Sequence, residues 1–293
     1  MPLRERRPRA AVLGAGLIGI DLADKIQRSD HVDLMLVAGR SRQSRGLARA
    51  ADLGCATSAD GVSAVLASGP FDVVFDASNA AAHEAHWQAL AATGTTLIDL
   101  TPTRGGTIVV PSVNGEEAAG SRHINLVSCG GQAAIPILHA LSRHCRPTYI
   151  EVVSTGASAS AGRATRDNLD EYITTTQSAI RAFTGVPAVK TLVNLSPAHP
   201  APPFRVVMTV LAPDLPADAA DLVAAAAAPV RAFAPGFTVT AVTATDGRLT
   251  VAVEVTATGG RIPTYAGNLD IINAAALLLA EQHTAACPRG ARS

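Results

Sequence analysis

Along the first 125 residues, short runs of aliphatic and β-branched residues alternate with longer stretches in which apolar positions recur every three to four residues. This pattern predicts strands over 10–13, 32–37, 71–76, 95–99 and 107–110, with helices over 18–28, 44–53, 61–67 and 80–92 between them. Strands separated by helices at such intervals imply an α/β region of Rossmann type, a doubly wound parallel sheet with helices on both faces. The rhythm changes after an apolar run at 124–128. A helix over 131–144 precedes strands near 149–154, 189–195 and 204–211, with helices over 168–183 and 217–233 among them. Two further strands, 238–243 and 248–256, are joined by Asp246-Gly247, which supplies the positive φ of a tight hairpin. This half reads as an α+β domain with a mixed or antiparallel sheet covered by helices. A last helix, 268–283, is apolar through Leu269, Ile271, Ile272, Leu277, Leu278 and Leu279 and must be buried.

Composition narrows the class without changing that picture. The 293 residues suit two domains or one large one. Apolar residues make up 48% and charged residues 16%, and Lys+Arg equals Asp+Glu at 24, so neither a disordered chain nor a polyanion-binding surface is expected and nucleic acid is not a partner. Cys55, Cys129, Cys145 and Cys287 form no C-x-x-C pair, which argues against a zinc ribbon or a disulfide framework and for a reduced, cytoplasmic protein. Arg4, Arg6, Arg7 and Arg9 before the apolar run 10–20 imitate a secretory signal. The run nevertheless contains Gly14, Gly16 and Gly19 and continues into an amphipathic stretch with Ile20, Leu22, Ala23 and Ile26 on one side, so it reads as strand, turn and helix. No stretch reaches the ~18 uninterrupted apolar residues of a membrane span, and the alanines at 224–228 belong to an ordinary helix.

Two places carry candidate chemistry. Gly14-Ala15-Gly16-Leu17-Ile18-Gly19 fits G-x-G-x-x-G after a strand and at the start of a helix, where glycines let backbone amides approach a pyrophosphate. The bland alternative is a tight turn without a ligand. About 20 residues on, where a carboxylate would accept from the ribose 2′-OH of NAD, stand Gly39-Arg40-Ser41-Arg42. Arg40, Arg42 or Arg45 would instead pair with the 2′-phosphate of NADP, or simply be solvated. In Val127-Ser128-Cys129-Gly130-Gly131-Gln132-Ala133 a cysteine lies between strand and helix, where unpaired amides are expected to lower its pKa and leave it partly exposed. Gly130 and Gly131 would leave their amides unobstructed as an oxyanion hole. The competing reading is a buried structural thiol.

Other polar groups rank lower. His83, Glu84 and His86 do not form H-E-x-x-H and read as a solvated helical face, so no metal is expected. His199 reads as a loop histidine, with an acid/base role as the alternative, Arg166, Asp170 and Glu171 as helix decoration, and Asp99, Thr101 and Asn114 either as ligand contacts at strand ends or as loop anchors.

Several long stretches resemble the acylating, CoA-dependent acetaldehyde dehydrogenases, which often work with 4-hydroxy-2-oxovalerate aldolases. They are the glycine turn continued through Ile20-Asp21-Leu22, Phe75-Asp76-Ala77-Ser78, Ile98-Asp99-Leu100-Thr101-Pro102, Pro111-Ser112-Val113-Asn114 and the Cys129 stretch. Ser160-Ala161-Gly162, Thr165-Arg166, Asn168-Leu169-Asp170-Glu171 and Tyr265-Ala266-Gly267-Asn268-Leu269-Asp270-Ile271-Ile272 continue the likeness. The resemblance implies that Cys129 forms an acyl thioester during interconversion of a short-chain aldehyde, CoA and NAD(P)+ with acyl-CoA and NAD(P)H. It implies cofactor contacts from Ala15, Gly16, Leu17 and Ile18, from the loop Ser160, Ala161, Gly162, Arg163, Ala164, Thr165, Arg166, Asp167 and Asn168, and from Asn268. It further implies a cofactor domain over 1–130 completed by 267–293, a catalytic and dimerisation domain over 131–266, a homodimer, and an aldolase partner. The chain departs from the family at Leu17, where Asn is usual, at Arg163-Ala164 in place of Pro-Gly, and at Met208, where a carboxylate is found. An acyl-phosphate reductase of the semialdehyde dehydrogenase type, and a cofactor-binding sensor without catalysis, are the alternatives.

Overall fold

The computed structural model describes residues 6–259 and 261–286; Arg4 and Cys287 lie outside them. The chain divides into two compact units, one of 1–107, 115–125 and 276–293, the other of 108–114 and 126–275. In chain order the elements up to the end of the first sheet are β1 (Arg9–Leu13), α1 (Leu17–Arg28), β2 (Asp33–Ala38), α2 (Arg45–Asp52), β3 (Thr57–Ser58), α3 (Gly61–Ser68), β4 (Val73–Asp76), α4 (Ala80–Leu90), β5 (Thr96–Asp99), β6 (Thr107–Val109), the short α5 (Pro111–Asn114), which groups with the second unit, and β7 (His123–Leu126). Their seven strands form one sheet in the order β3-β2-β1-β4-β5-β7-β6, and the pairs from β3 through β7 are parallel. The doubly wound α/β expectation holds here. The two-residue β3 had no signal of its own, because so short a strand is defined by its neighbour β2 and not by an apolar run.

Register brings the carboxyl ends of four strands level: Leu13 faces Ala38 and Asp76, and Asp76 faces Asp99. The glycine turn, the arginine loop and two buried carboxylates therefore collect along one sheet edge, the edge where open parallel sheets bind ligands. Beneath it Ala11, Leu13, Leu36, Phe71, Val74, Leu90 and Leu97 form an apolar core.

The second region continues with α6 (Cys129–Ser142), β8 (Tyr149–Ala157), α7 (Arg163–Asp167), α8 (Leu169–Thr184), β9 (Val189–Ser196), β10 (Phe204–Leu211), α9 (Ala219–Phe233), β11 (Phe237–Thr245), β12 (Arg248–Val255) and α10 (Gly267–Ala286). Its five strands run β11-β12-β10-β8-β9, antiparallel except for the parallel pair β8 and β9, so the sheet is mixed. Asp246 at φ 41 and Gly247 at φ 76 make the β11–β12 turn. Ile135 and Leu138 of α6, Ile180 of α8 and Val223 and Val230 of α9 pack with Ile150, Val152, Val206, Met208, Val251 and Val253 of the sheet in one cluster. Ile271 of α10 belongs to the same cluster, which is why the first turns of that helix group with the second unit and only 276 onward with the first. Among the described residues no helix is long and apolar enough to cross a membrane.

Candidate functional site

The glycine turn has the backbone an anion site needs. Gly14 has φ +102 and any side chain there would strike the carbonyl of Ala77, whose amide in turn donates to Leu13. Gly16 is the N-cap of α1, no side chain caps that helix end, and no atom lies within 4 Å of where its Cβ would stand. Open space in front of a twelve-residue helix without a side-chain cap fits a pyrophosphate. Leu17, the first helical residue, is 41% exposed. Arg40 and Arg42 follow β2 and are exposed.

Cys129 is the first residue of α6, two positions earlier than the predicted helix start, because Ser128 caps it: Ser128 Oγ accepts from the Gly131 amide at 3.0 Å. Ser128 Oγ also bonds Thr176 Oγ1 at 2.6 Å, and the Thr176 hydroxyl donates to the Tyr172 carbonyl. One turn earlier on α8, the Tyr172 hydroxyl accepts from the Gly130 amide at 3.0 Å and lies 3.4 Å from Cys129 Sγ. A side chain at Gly130 would come within 2.3 Å of Ser154 Oγ and 2.7 Å of the Tyr172 oxygen. That glycine exists to let both hydroxyls approach the helix start.

This geometry corrects two expectations. The amides of Gly130 and Gly131 are not unobstructed; both are hydrogen-bonded within the protein. The thiol is also not lowered. Burial pushes Cys129 above its ordinary value, and the Tyr172 hydroxyl with the amides of Gly130 and Cys129 offsets that only in part. Tyr172 and Ser154 were missed in the sequence. Tyr172 falls within the helix expected over 168–183, and only the fold brings β8 and α8 to the cysteine.

The second unit also joins two other stretches. Asn268, at the start of α10, donates from Nδ2 to the Ser160 carbonyl at 3.2 Å, while its Oδ1 is buried without a partner. Arg166 folds back onto the carbonyls of Ala161 and Ser158, and Asn168 onto that of Ala164, shaping the loop 158–168 from within. Arg163 and Asp167 form an exposed pair across α7. Met208 is buried in the sheet core, and His199 is exposed.

In the first unit, α4 does not present a solvated histidine face. His83 is 1% exposed, and its Nδ1 lies 3.0 Å from Asp76 Oδ2 and 3.4 Å from Asp99 Oδ1. His86 Nδ1 bonds the same Asp76 oxygen at 2.9 Å. His83 Nε2 meets His123 Nε2 at 2.8 Å, and Trp87 stacks on His123 with 4.2 Å between ring centres. The correction has a physical cause: the helix turns this face onto strand tips whose carboxylates need donors. Asp76, His83 and Asp99 bring one potential ligand atom each within 4.8 Å of one another. Asp99, however, already accepts from the Thr101 amide and hydroxyl and from Thr103 and Asn125, so the arrangement is a hydrogen-bond network. Burial favours a neutral Asp76, but hydrogen bonds from His83 and His86 outweigh it and hold the carboxyl well below the usual range. Asp99, with burial dominant, is pushed up to about 6. Burial opposes charge on His83 as well, yet Asp76 and Asp99 raise it; His123 is lowered by burial and by its charged neighbour. In the second unit, Asn114 is a loop anchor, bonding Val110 and Ile108.

Comparison with known proteins agrees across both units. Residues 129–263 match the family model described as prokaryotic acetaldehyde dehydrogenase, dimerisation, and 9–121 that of the semialdehyde dehydrogenase NAD binding domain. An acetaldehyde dehydrogenase of Streptomyces griseus is 54% identical over 286 residues, spanning 97% of this chain and 92% of that protein. One from Pectobacterium atrosepticum is 42% identical, spanning 94% and 95%. Among solved structures, aspartate semialdehyde dehydrogenase II of Vibrio cholerae, complexed with ASA, superposes with a TM-score of 0.61 over 94% of this chain and 98% of its own; at 14% identity the likeness is one of fold.

Proposed function

Because the chain belongs to the acetaldehyde dehydrogenase family, we propose that it interconverts a short-chain aldehyde and its coenzyme A thioester, with Cys129 as the nucleophile. The observation that carries this reading is the place of Cys129: first residue of a capped helix, partly exposed, with a tyrosine hydroxyl on its sulfur. In the oxidative direction the thiolate attacks the aldehyde carbon. A thioester on Cys129 follows, and the thiol of coenzyme A displaces the protein sulfur, which regains its proton. Splitting the reaction at a covalent thioester keeps the acyl group activated as long as water is held off.

The turn Gly14–Gly19 would hold the pyrophosphate of a nicotinamide dinucleotide, which supplies the hydride acceptor when bound. Cofactor contacts are also assigned to the segment 160–168 and Asn268, whose buried Oδ1 lacks a partner. At the adenosine end Arg40 and Arg42 take the place of a carboxylate and would pair with a 2′-phosphate, so NADP(H) is accepted as well as NAD(H).

The protein is proposed to act as a homodimer. Leu192, Val153, Val207, Ala252 and Ala241 stand in register across all five strands of the second sheet, on the face opposite the helices, and none of them is buried. An apolar row of this kind is a natural interface for a second copy.

The test of the catalytic reading follows NAD(P)H absorbance with acetaldehyde, with and without CoA or phosphate, for the wild type and Cys129→Ala. CoA-dependent turnover that falls below detection in the variant is expected. Phosphate dependence would point to an acyl-phosphate reductase, and an active Cys129→Ala protein would remove the thioester.

A further inference from the structure

An adduct on Cys129 carries a negative oxygen, and the two amides next to the sulfur are already engaged, Gly130 with Tyr172 and Gly131 with Ser128. Two hydroxyls beside Gly130 still have a proton to give. Tyr172 spends its oxygen on the Gly130 amide, which leaves its own proton to donate toward Cys129 Sγ. Ser154 is 2% exposed and its Oγ has no hydrogen-bond partner, an expensive state for a buried hydroxyl and one that a bound group would relieve. Both oxygens crowd the same spot, where a Gly130 side chain would be.

We infer that Tyr172 is a catalytic residue whose hydroxyl holds the oxyanion of the Cys129 adduct, with the Ser154 hydroxyl as its second donor. The inference rests on Cys129 being the nucleophile. The thiol proton leaves to solvent, a sulfur lone pair forms the C–S bond, and the carbonyl π pair moves onto oxygen. That oxygen takes over the hydrogen bond Tyr172 had given to sulfur. When the carbon's hydrogen departs with its electron pair to the oxidised nicotinamide, the oxygen pair re-forms the carbonyl and leaves a thioester. The hydroxyl then turns back to sulfur. Burial and the neighbouring sulfur push the Tyr172 phenol far above its ordinary value, so it stays a donor throughout. The Gly130 amide on its oxygen polarises the O–H further. This arrangement also needs no carboxylate at position 208, where Met208 is buried.

The experiment compares wild type, Tyr172→Phe, Ser154→Ala and Cys129→Ala in two assays. One is the single-turnover rate of NAD(P)H appearance with acetaldehyde before CoA is added; the other is the pH midpoint of Cys129 alkylation by iodoacetamide. Tyr172→Phe is expected to slow the first by roughly 100-fold, the usual cost of one oxyanion donor, with KM for aldehyde little changed. It should also move the alkylation midpoint to higher pH, since the thiolate loses a donor. Ser154→Ala should slow hydride release while leaving the alkylation midpoint in place. If Tyr172→Phe folds poorly, 3-fluorotyrosine at 172, which keeps the shape and acidifies the hydroxyl, must lower the midpoint. A Tyr172→Phe protein with wild-type single-turnover rate, or a midpoint that neither Tyr172 variant moves, overturns the inference while Cys129→Ala remains inactive. If Cys129→Ala retains activity, the nucleophile itself is wrong.

Discussion

The two units enclose their sheets differently. In the first, every residue of β4 and β5 is buried, as expected of parallel strands covered on both faces. In the second, β8 alternates between buried and half-buried positions, because helices cover one face only. The buried polar chemistry follows suit. Asp76 and Asp99, sealed at their strand tips, are compensated by imidazoles and hydroxyls in a network that carries charge. Around Cys129 the partners are hydroxyls and amides, all neutral, so nothing offsets the cost of ionising the thiol except directed hydrogen bonds. The charge on Asp76 is stabilised where it sits, whereas burial at Cys129 favours the neutral thiol.

The charged network gives the largest expected effect. His83→Gln leaves Asp76 buried with one imidazole fewer and should cost about 3–5 kcal/mol, as for other buried pairs that lose one partner. At a few degrees per kcal/mol for a chain of this size, the unfolding temperature drops by roughly 10 °C. The pH dependence has a definite sign. His83 titrates above its ordinary value, so its contribution is full below ~6.5 and is lost as pH rises through the raised value. Asp99, also raised, adds stability that is present below the usual carboxylate range and lost as pH rises through about 6. Asp76 is depressed, and its contribution is lost only in strong acid. Differential scanning calorimetry should therefore show the wild type losing stability as pH rises through about 6, where Asp99 titrates, and again above the ordinary histidine range, with His83→Gln lacking the second loss. A variant as steeply pH-dependent as the wild type would deny His83 its charge.

The same contrast decides what was legible in the chain. Periodicity finds β1, α1, β4 and β5 because the burial of each is repeated along its own residues. The glycine turn was readable because its conformation is local. The His83 network was misread, since two histidines three apart look alike whether they face water or a strand tip, and only the β4–β5 register puts Asp99 beside Asp76. Tyr172 and Ser154 were not legible for the same reason: α8 and β8 reach Cys129 through tertiary packing, and although Ser154 breaks the apolar inward row of Ile150 and Val152, nothing in the sequence ties it to the cysteine. The cysteine stood out by its glycines, but its electrostatics did not, because a helix start lowers a thiol only where its amides are unspent.

The half-covered sheet supplies the next test. Val207 sits at the centre of the apolar row, with Val153 on one side and Ala252 on the other. Val207→Glu places a carboxylate there, and a self-complementary interface would bury it twice. Sedimentation velocity should show the wild type as a dimer and the variant shifted to monomer at micromolar concentration. A dimer that survives unchanged would move the interface elsewhere, whereas the first unit, with no such bare row on β4 or β5, offers no comparable site for the same experiment.

The smallest effect is expected where charge is neither buried nor networked. Arg40 and Arg42 are exposed beyond β2, so any attraction to a 2′-phosphate works through solvent and is worth about 1 kcal/mol. That corresponds to roughly tenfold or less in affinity. The double substitution of Arg40 and Arg42 by Ala should raise KM for NADPH by about that factor, leave KM for NADH within about twofold, and lessen the salt dependence of the former. Equal changes for both cofactors would mean that the arginines support the loop and not the phosphate. An NADPH penalty far above tenfold would mean that the bound cofactor encloses them, so that this rim behaves like the sealed carboxylates below it and not like an open surface.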